Sequence, residues 1–401
     1  MKILFLNNKP PYPPKDGGSI ASLSMIKAFA DAGHHVTVLA MNTFKHHISP
    51  FELPNELTSK IIFHLVEVPA KISPAEAFVN LVNSRLPYNA QRFINKTYRH
   101  KLEVLLKATN FDVVQLEGLY LCPYIGTIRK YSNALIAYRS HNIEHEIWQR
   151  TLAHSKGLKK LYLKILTSRL KQFETDALNT YDLLVAITQR DEKMLNQMGN
   201  TKPSITIPAG IDTTNTRFEI KKPQSDDLFF IGALDWAPNQ EGLFWFLDGS
   251  WQVILEKRPK SKLKIAGRNA PQWLVDKLNN YPHIDYVGEV ENAARFMQEN
   301  GLFIVPLLSG SGMRIKIIEG MMHQKCIVTT LIGCEGIEAI NNEHIYIAKN
   351  QNDFSKIVIE LLSNKEKTLA TGLKASKFVK SAFDNQLLIE KLATFYKQHI
   401  K

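Results

Sequence analysis

Short apolar runs alternate along the chain with longer stretches of helical periodicity. In the first half the apolar runs lie at residues 2–6, 35–39, 112–117, 134–142 and 183–188. Each reads as a buried strand, and residues 19–32 carry the apolar spacing of an amphipathic helix. Since strands that alternate with helices are typical of parallel sheets, this half predicts a doubly wound α/β domain.

A second series of the same kind begins at residue 227. Its apolar runs lie at residues 228–232, 262–267, 283–288, 302–307 and 326–330, and three of them end in glycine. Residues 206–227 between the two series are polar and rich in turn-forming residues, as expected of a linker. The pattern predicts an α/β protein of two Rossmann-like doubly wound domains, residues 1–206 and 207–380, that face a central cleft, followed by a helix at 381–401.

The loop after the first strand is the first candidate for chemistry, because ligands of doubly wound sheets bind beyond the carboxyl ends of the strands. Here Gly17 and Gly18 open a helix, where free backbone N–H groups could meet an anion. Asp16 would face an acceptor hydroxyl. The alternative is a plain turn capped by Ser19. The dinucleotide-binding glycine pattern is absent, which argues against a nicotinamide or flavin enzyme.

A second candidate follows the run at 134–142, where His141 and Asn142 lead into a helix. A histidine at this place can donate a hydrogen bond to a sugar hydroxyl or stabilise developing charge. With His145 it could instead bind zinc, but no third ligand is evident and no metal site is predicted. A helix-capping or core histidine is the other alternative.

The third candidate is the segment "SGSGMRIKIIEG" at residues 309–320, between a strand and a helix. Gly310 and Gly312 leave the backbone bare at the helix start, where a diphosphate could accept N–H bonds. Arg314 and Lys316 oppose the helix dipole there, and a bound diphosphate would compensate them. Glu319 could reach ribose or sugar hydroxyls. The alternative is that both cations point to solvent.

Composition and charge narrow the choice of partners. The net charge is +12, which favours a phosphorylated ligand, an anionic membrane or nucleic acid. No recognition helix, zinc motif or aromatic RNA-binding motif supports nucleic acid. The three cysteines do not suggest a disulfide framework or metal site. The first residues lack the features of a signal peptide and no run is long enough to span a bilayer, so a cytoplasmic protein is expected.

Two basic segments raise the possibility of peripheral contact with an anionic membrane. Residues 155–174 place lysines opposite an apolar stripe that includes Leu158 and Leu161, and residues 83–101 are basic and aromatic. The alternative for the first segment is an ordinary helix with its apolar stripe in the core and a solvated basic face.

The motifs together resemble those of GT-B-fold glycosyltransferases of family 4. They occur in the family's order over nearly the whole chain: "PPYPPKDGGSI", "SHNIEHEIW", "TIPAGID", "GALDWAPNQEGLFWF" and "GSGMRIKIIEGMMHQKCIVTT" followed by "IGCEGI". The resemblance implies a retaining enzyme that transfers a sugar from a nucleotide-diphosphate donor to a saccharide or lipid-linked acceptor, in cell-surface polysaccharide or glycoconjugate synthesis. It also implies that the last helix crosses back to the first domain.

The resemblance assigns roles to particular residues. The expected catalytic residues are His141, Arg314, Lys316 and Glu319. The expected donor-binding residues are Gly17, Gly18, Gly232, Asn239, Gly288, Gly310, Ser311, Gly312 and Met313. The expected acceptor-side residues are Asp16, Glu117 and Asn142. Ser311 occupies the position where the family usually has the first glutamate of its paired-glutamate motif.

The implied chemistry needs no divalent metal, because Arg314, Lys316 and the loop backbone would stabilise the leaving diphosphate. In the front-face mechanism attributed to the family, the leaving phosphate takes the acceptor proton. Two alternatives stay open at this point. One is a sugar-nucleotide epimerase on the same fold, which would need no acceptor, and the other is a non-catalytic saccharide-binding protein.

Overall fold

The computed structural model of the 401-residue chain describes residues 1–153, 155–213, 227–310 and 312–400. Contacts within the chain divide it into two units. The first unit comprises Met1–Gly210 together with Asn385–Lys401, and the second comprises Ile211–Asp384. Each unit has its own sheet and is described by itself.

The first unit contains a parallel sheet whose strands are β1 (Lys2–Asn7), β2 (His35–Asn42), β3 (Ile61–Glu67), β4 (Val113–Glu117), β5 (Leu135–Ser140), β6 (Leu183–Ala186) and β7 (Ser204–Thr206). Its helices are α1 (Gly17–Asp31), α2 (Asn55–Thr58), α3 (Pro74–Asn83), α4 (Tyr88–Gln91), α5 (Lys96–Ala108), α6 (Ile125–Tyr131), α7 (Glu144–Ala153), α8 (Gly157–Ala177) and α9 (Gln189–Gln197).

The strand order of this sheet, over the described residues, is β3-β2-β1-β4-β5-β6-β7. Apolar side chains alternate between its two faces, so that Leu4 and Leu6 pack in one core while Ile3 and Phe5 pack in another. The order reverses between β1 and β4. Loops that leave neighbouring strands there turn to opposite faces, which opens a crevice at the carboxyl ends.

The second unit repeats this plan. Its strands are β8 (Leu228–Ile231), β9 (Leu263–Ala266), β10 (Ile284–Gly288), β11 (Leu302–Val305), β12 (Ile327–Thr330) and β13 (Tyr346–Ala348). Its helices are α10 (Ala237–Trp245), α11 (Gln252–Lys257), α12 (Gln272–Leu278), α13 (Ala293–Glu299), α14 (Ile315–Met322), α15 (Gln351–Ser363) and α16 (Lys365–Ala382). In the described part of this unit the parallel strands run in the order β10-β9-β8-β11-β12-β13, so the reversal lies between β8 and β11.

The last helix, α17 (Asn385–His399), packs against α1 within the first unit. Its buried side chains are Leu388, Ile389, Leu392, Ala393 and Tyr396. The ring of Tyr396 is stacked on Phe29 of α1 with centroids 6.2 Å apart. Two hydrogen bonds between Ser24 and Asn385 fix the start of the helix.

The sequence prediction of two doubly wound α/β domains is confirmed. A strand overlaps each of the ten predicted apolar runs. The prediction missed β3, β7 and β13, because β7 and β13 are three residues long and β3 mixes buried with exposed positions. Most of the predicted linker, residues 214–226, lies outside the described residues.

The alternative that the whole apolar stripe of α8 packs in the core is wrong for the start of the helix. Leu158 is 87% exposed and Leu161 is 60% exposed, whereas Leu163, Leu166 and Leu170 are buried. Helical periodicity identifies a face, but the neighbouring elements decide how far along the helix that face is covered. Among the described helices, none has the length and apolar composition needed to cross a membrane.

The contact of α10 with the loop after β11 depends on Gly242. A Cβ atom at this position would lie 1.9 Å from the carbonyl oxygen of Pro306. We therefore expect Gly242→Ala to lower the free energy of unfolding by about 1–3 kcal/mol, as overpacking does. Gly126 in α6 is the matched control, because a Cβ there meets nothing within 4 Å. Gly126→Ala should be neutral or stabilising by up to about 1 kcal/mol, since alanine is the better helix former.

Calorimetric unfolding of the two variants measures this difference. Equal stability of Gly242→Ala and the unchanged protein would contradict the close approach of α10 to Pro306.

Candidate active site

A pocket of about 370 Å³ lies in the first unit, beyond the carboxyl ends of β1, β4 and β5. This is the crevice expected where the strand order reverses. Five residues singled out from the sequence line it: Asp16, Gly18, Glu117, His141 and Asn142. We call it the first-unit pocket.

Glu117 is the most enclosed charged group of the first-unit pocket. It ends β4 and is 5% exposed. Its Oε2 lies 2.8 Å from Nε2 of His141 and 3.3 Å from Nη1 of Arg139, and it accepts a hydrogen bond from the Ser22 hydroxyl. Burial alone would raise the pKa of Glu117, but Arg139 and the bonds from His141 and Ser22 outweigh it and lower the pKa to about 2. Glu117 is therefore ionised at every physiological pH.

The other carboxylate oxygen of Glu117 connects it to the last helix. The side-chain amide of Gln115 donates to Glu117 Oε1, and the Tyr396 hydroxyl donates to Gln115 Oε1 over 2.6 Å. Gln115 and Tyr396 are both fully buried. A chain of hydrogen bonds thus runs from α17 through β4 to the pocket.

This arrangement sets the tautomer of His141. An ionised carboxylate can only accept a hydrogen bond, so the Nε2 of His141 carries the hydrogen that points to Glu117. Nδ1 has no hydrogen-bond partner in the described part of the chain and is the ring atom left for a ligand. His141 is partly buried, and it precedes α7 rather than lying within it.

Asp16 is the N-cap of α1. It accepts a hydrogen bond from the backbone N–H of Ser19 over 3.0 Å and forms an ion pair with Lys9 at 2.6 Å. Burial would raise the pKa of Asp16, but Lys9 and the Ser19 bond lower it. Gly17 and Gly18 are the first two residues of α1, as expected, and Gly18 lines the pocket.

The two histidines that could have formed a zinc site have separate carboxylate partners. His145 contacts Glu174 through Nδ1 at 2.5 Å, whereas His141 contacts Glu117. Within the described ranges, no group of three or more histidine, cysteine, aspartate or glutamate side chains is placed to hold a metal ion.

Glu144 is a pocket residue that the sequence analysis did not select. Burial raises its pKa to about 7, against the hydrogen bond that the Tyr120 hydroxyl donates over 2.8 Å. The backbone N–H of Glu144 donates to Glu174. The available signal was its position two residues after the apolar run at 134–142 and next to His145.

The second unit places its candidate residues around the start of α14, where the strand order reverses between β8 and β11. We call this the α14 site. Gly310 and Gly312 have φ angles of 109° and 76°, which side-chain-bearing residues rarely adopt. A Cβ at Gly310 would also lie 3.0 Å from the guanidinium of Arg314 and from the ring of Trp236. Ser311 lies outside the described residues.

Both predicted cations of the α14 site are withdrawn from solvent, so the alternative of solvent-pointing side chains is wrong. Arg314 is the N-cap residue of α14 and is 6% exposed, with its guanidinium carbon 5.8 Å from the ring centre of Trp236. It donates a hydrogen bond to the carbonyl oxygen of Gly312.

Lys316 lies in the first turn of α14 and turns toward the end of β8. Its ammonium group donates to Asn239 Oδ1 over 3.0 Å and to the carbonyl oxygen of Ile231 over 3.3 Å, and lies 4.6 Å from the ring centre of Phe230. No carboxylate pairs with it among the described residues. Burial, and then Arg314, lower its pKa to about 7.

Glu319 lies one turn further along α14. Burial raises the pKa of Glu319 to about 7. Its carboxylate has no hydrogen-bond donor within the part of the chain that the structure describes. Over the described residues, the α14 site therefore contains a cation and a carboxylate without partners of opposite charge.

The remaining predicted donor-site residues are only partly brought together. Asn239 is buried in α10 and donates to the carbonyl of Ala233. A Cβ at Gly232 would lie 2.9 Å from the Asn239 amide and 3.1 Å from the Lys316 ammonium, so glycine leaves room there. Met313 is partly buried against the core. Gly288 ends the edge strand β10, which β9 separates from β8, so the structure does not place it beside Lys316.

Four residues that hold Glu117 in place were not predicted from the sequence: Ser22, Gln115, Arg139 and Tyr396. A signal was present for two of them, because Gln115 and Arg139 are polar residues inside otherwise apolar strands. Such a residue in a fully buried strand needs a polar partner. Nothing local to Ser22 or Tyr396 identified them.

Two family models match the chain. The model described as glycosyltransferase family 4 matches residues 16–215, and the model described as glycosyl transferases group 1 matches residues 225–364. An uncharacterized 44.6 kDa protein in the cps region of Klebsiella pneumoniae is 24% identical over 397 residues, which cover 96% of this chain and 97% of that protein.

Solved structures share the fold over the whole chain. Sucrose-phosphate synthase from Thermosynechococcus elongatus matches with a TM-score of 0.70 at 16% identity, covering 99% of each chain. Anabaena HepE, crystallised with UDP-glucose, matches with a TM-score of 0.66 at 12% identity, covering 99% of this chain and 100% of that one.

The family 4 match covers most of the first unit, and the group 1 match lies in the second unit. The structural matches extend over both units. The chain is an enzyme of the glycosyltransferase class, with a family 4 region followed by a group 1 region on the GT-B fold.

Proposed function

We propose that the protein is a retaining glycosyltransferase that moves a sugar from a nucleotide-diphosphate sugar to a saccharide or lipid-linked saccharide acceptor. The observation that carries the proposal is the α14 site, where Lys316 and Glu319 are withdrawn from water and have no partner of opposite charge among the residues that the structure describes. Burying an ionisable group without a partner costs free energy, so such groups mark a site that a ligand completes.

The diphosphate of the donor fits the amino end of α14. Backbone N–H groups at a helix start attract anions, and the left-handed conformations of Gly310 and Gly312 expose the backbone of the loop. Arg314 and Lys316 add charge-assisted hydrogen bonds to phosphate oxygens. The diphosphate in turn compensates two cations that the helix dipole alone would destabilise.

Glu319 fits the ribose of the donor. A carboxylate accepts two hydrogen bonds from neighbouring hydroxyls, which supplies the missing donors. Glu319 lies one turn after Lys316, so the contact to the ribose and the contact to the diphosphate lie at different points along the same helix. Asn239 supports this arrangement by fixing the ammonium group of Lys316.

The first-unit pocket is assigned to the acceptor and to the transferred sugar. Hydroxyl-bearing ligands need both donors and acceptors, and the pocket offers Asp16, Asn142 and Nδ1 of His141. We assign His141 to the transferred sugar, with Glu117 as the positioning residue that fixes its ring.

In the proposed reaction the bond between the anomeric carbon and the diphosphate breaks, and a bond to the acceptor oxygen forms on the same face. The acceptor proton passes to the leaving phosphate oxygen, so no protein base is required. The negative charge that develops on the diphosphate is stabilised by Arg314, Lys316 and the α14 backbone, and this electrostatic contribution dominates. No divalent metal takes part.

The relatives support a proposal for the biological setting. The Klebsiella relative lies in a cps region, and HepE was crystallised with UDP-glucose. These support a role in cell-surface polysaccharide synthesis with a nucleotide-sugar donor. We place the protein at the inner face of the cytoplasmic membrane, where lipid-linked saccharides would meet a cytoplasmic donor.

The function is tested with a thermal-shift screen against UDP-glucose, GDP-mannose and ADP-glucose, followed by a transfer assay with the donor that binds. A donor present at 100 times its Kd should stabilise the protein by about 2.7 kcal/mol. His141→Ala should keep donor binding and reduce transfer by about tenfold or more, because it removes a contact to the reacting sugar. His100→Ala, at an exposed position of α5, is the control. Donor turnover that needs no acceptor would favour an epimerase.

Donor affinity should depend on pH through Lys316. Its lowered pKa of about 7 means that the free protein has a neutral lysine above pH 7, whereas a bound diphosphate favours the charged form. The contribution of Lys316 to the affinity should therefore be complete below pH 6 and fall by up to about tenfold per pH unit above pH 7.

Calorimetric titration with the bound nucleotide sugar measures this dependence. Lys316→Met should bind more weakly at pH 6 and lose the fall in affinity above pH 7, while Lys262→Met, at an exposed position of the second unit, should retain both the affinity and this fall. An unchanged pH profile in Lys316→Met would exclude a contact between this lysine and the diphosphate.

The ionised form of Glu319 should lower the stability of the free protein above pH 7, although the same carboxylate contributes to donor binding. Its folded pKa of about 7 exceeds the ordinary value of 4.5, so its contribution to stability is complete below pH 4.5 and is lost as the pH rises through 7. At pH 8 Glu319→Gln should raise the free energy of unfolding by up to about 3 kcal/mol, because the buried charge is gone. The same variant should bind the donor about tenfold more weakly.

Chemical denaturation at pH 5 and pH 8 checks the stability change, and titration with the donor checks the binding. Glu256→Gln, on the exposed side of α11, is the control and should alter neither. A variant at Glu319 that is less stable at pH 8 but binds the donor normally would assign this residue to the structure of α14 instead.

A further inference from the structure

Helix α3 presents apolar side chains to solvent. Phe78 is 66% exposed, Val79 is 55% exposed and Val82 is 69% exposed, and Asn80 is the one buried residue of this helix. Contiguous apolar side chains on a helix of a folded protein mark an interaction surface, because scattered single residues are the ordinary case. The exposed Leu158 and Leu161 of α8 add to this surface.

The two helices are neighbours. The guanidinium of Arg169 in α8 donates to the carbonyl oxygens of Asn80 over 3.2 Å and Leu81 over 2.7 Å, at the end of α3. Near the other end of α3, the Tyr88 hydroxyl accepts a hydrogen bond from the backbone N–H of Ser73. Tyr88 also lies near Tyr162 of α8. Burial raises the pKa of Tyr162, and the nearby Tyr88 raises it further. Contacts through Ser73, Tyr88 and Arg169 therefore link α3 to residues 162–169 of α8, and the exposed Leu158 and Leu161 precede this stretch.

The excess positive charge of the chain lies in two segments that contain most of these two helices. Residues 77–102 and 147–173 contain no aspartate or glutamate, and they carry five and seven lysines and arginines. These twelve equal the net charge of +12, because the remaining 38 of the 50 basic residues match the 38 acidic ones. The first turns of α8 alone hold Lys156, Lys159, Lys160 and Lys164, none of which has a carboxylate partner among the described residues.

We propose that α3 and the first turns of α8 form a docking surface for an anionic lipid bilayer. Exposed apolar side chains beside unpaired lysines match a membrane interface, where the apolar groups enter the acyl boundary and the lysines meet lipid phosphates. Each lysine or arginine near an anionic leaflet strengthens the binding. A soluble polyanion or nucleic acid would account for the lysines but would leave Phe78, Val82 and Leu158 in water.

The docking surface is linked to the first-unit pocket through Gln91 and Arg92, because Asn80 of α3 donates a side-chain hydrogen bond to Gln91. Arg92 belongs to the acid-free stretch at 77–102 and also lines the pocket together with Phe93. Its guanidinium carbon lies 4.7 Å from the ring centre of Phe93. This inference extends the proposed function, because it brings the assigned acceptor pocket to the surface where a lipid-linked saccharide is available. Vesicle binding itself does not depend on transfer activity.

The experiment is co-sedimentation of the full-length protein with vesicles of phosphatidylcholine, with and without phosphatidylglycerol. The protein should bind the anionic vesicles at least about tenfold more tightly than the neutral ones, and added salt should weaken the binding. The double variants Lys159→Glu with Lys160→Glu, and Phe78→Ser with Val82→Ser, should each lose about tenfold or more of the binding to anionic vesicles. Thermal unfolding checks that both remain folded.

Matched controls come from the second unit. Helix α16 carries exposed Leu369 and Leu373 and exposed Lys377 and Lys380, so Leu369→Ser with Leu373→Ser and Lys377→Glu with Lys380→Glu repeat the same changes elsewhere. These variants should bind vesicles normally. The proposal is overturned if α16 and α8 variants lose binding equally, if neutral vesicles bind as well as anionic ones, or if the protein binds DNA but not vesicles.

Nucleotide-sugar binding by the same variants keeps the two proposals apart. Normal donor binding with lost vesicle binding in the α3 and α8 variants supports the docking surface. Normal vesicle binding without any donor binding in the unchanged protein would refute the proposed function and leave the docking surface standing.

Discussion

The ionised carboxylate of Glu117 is the constraint around which the first unit is arranged. A charge withdrawn from water needs several partners, and loss of one partner of such a pair costs about 3–5 kcal/mol. Here the partners come from separate elements: Ser22 from α1, Gln115 from β4, Arg139 from β5, and His141 from the segment that follows β5. Because all of these must be in place together, the mutual position of α1, β4 and β5 is set at the pocket itself.

The same network explains why the last helix belongs to the first unit. Tyr396 supplies the hydroxyl that satisfies Gln115, so the amide of Gln115 is oriented to donate to Glu117. Without α17, the Gln115 carbonyl would be buried with no donor. The orientation of His141 therefore depends on residues 281 positions apart along the chain.

The second unit follows the opposite rule. Among the residues that the structure describes, Lys316 and Glu319 are partly buried and neither has a partner of opposite charge, and burial moves both pKa values to about 7. The charge of Glu117, by contrast, is satisfied within the protein, which keeps the geometry of His141 fixed. In the function that we propose, the donor completes the α14 site, so binding recovers free energy that folding did not. A rigidly positioned side chain and an uncompensated ligand site are the division expected of such an enzyme.

The sequence predicted those features that are encoded locally. Each apolar run and its strand-end glycine form a short local signal, and so does the segment that carries the cations of α14, so the two sheets and the α14 site could be inferred. The contacts between Glu117 and its partners could not be inferred, because these residues meet only through the tertiary fold. The exposure of Leu158 was also unpredictable, since periodicity gives the direction of a side chain but not whether another element covers it. Ser311, which departs from the family's paired glutamates, remains a prediction from sequence alone.

The position of the charges changes what the basic composition means. A net charge of +12 is compatible with a phosphorylated ligand, a membrane or nucleic acid when the chain is considered as a whole. Yet the α14 site needs only Arg314 and Lys316, and outside residues 77–102 and 147–173 the chain is electrically balanced. A diphosphate donor therefore does not account for the excess. The excess lies in the two segments that contain most of α3 and α8, the helices with the exposed apolar residues. Since basic residues near an exposed apolar surface strengthen binding to anionic lipid, the docking surface that we propose accounts for the basic composition.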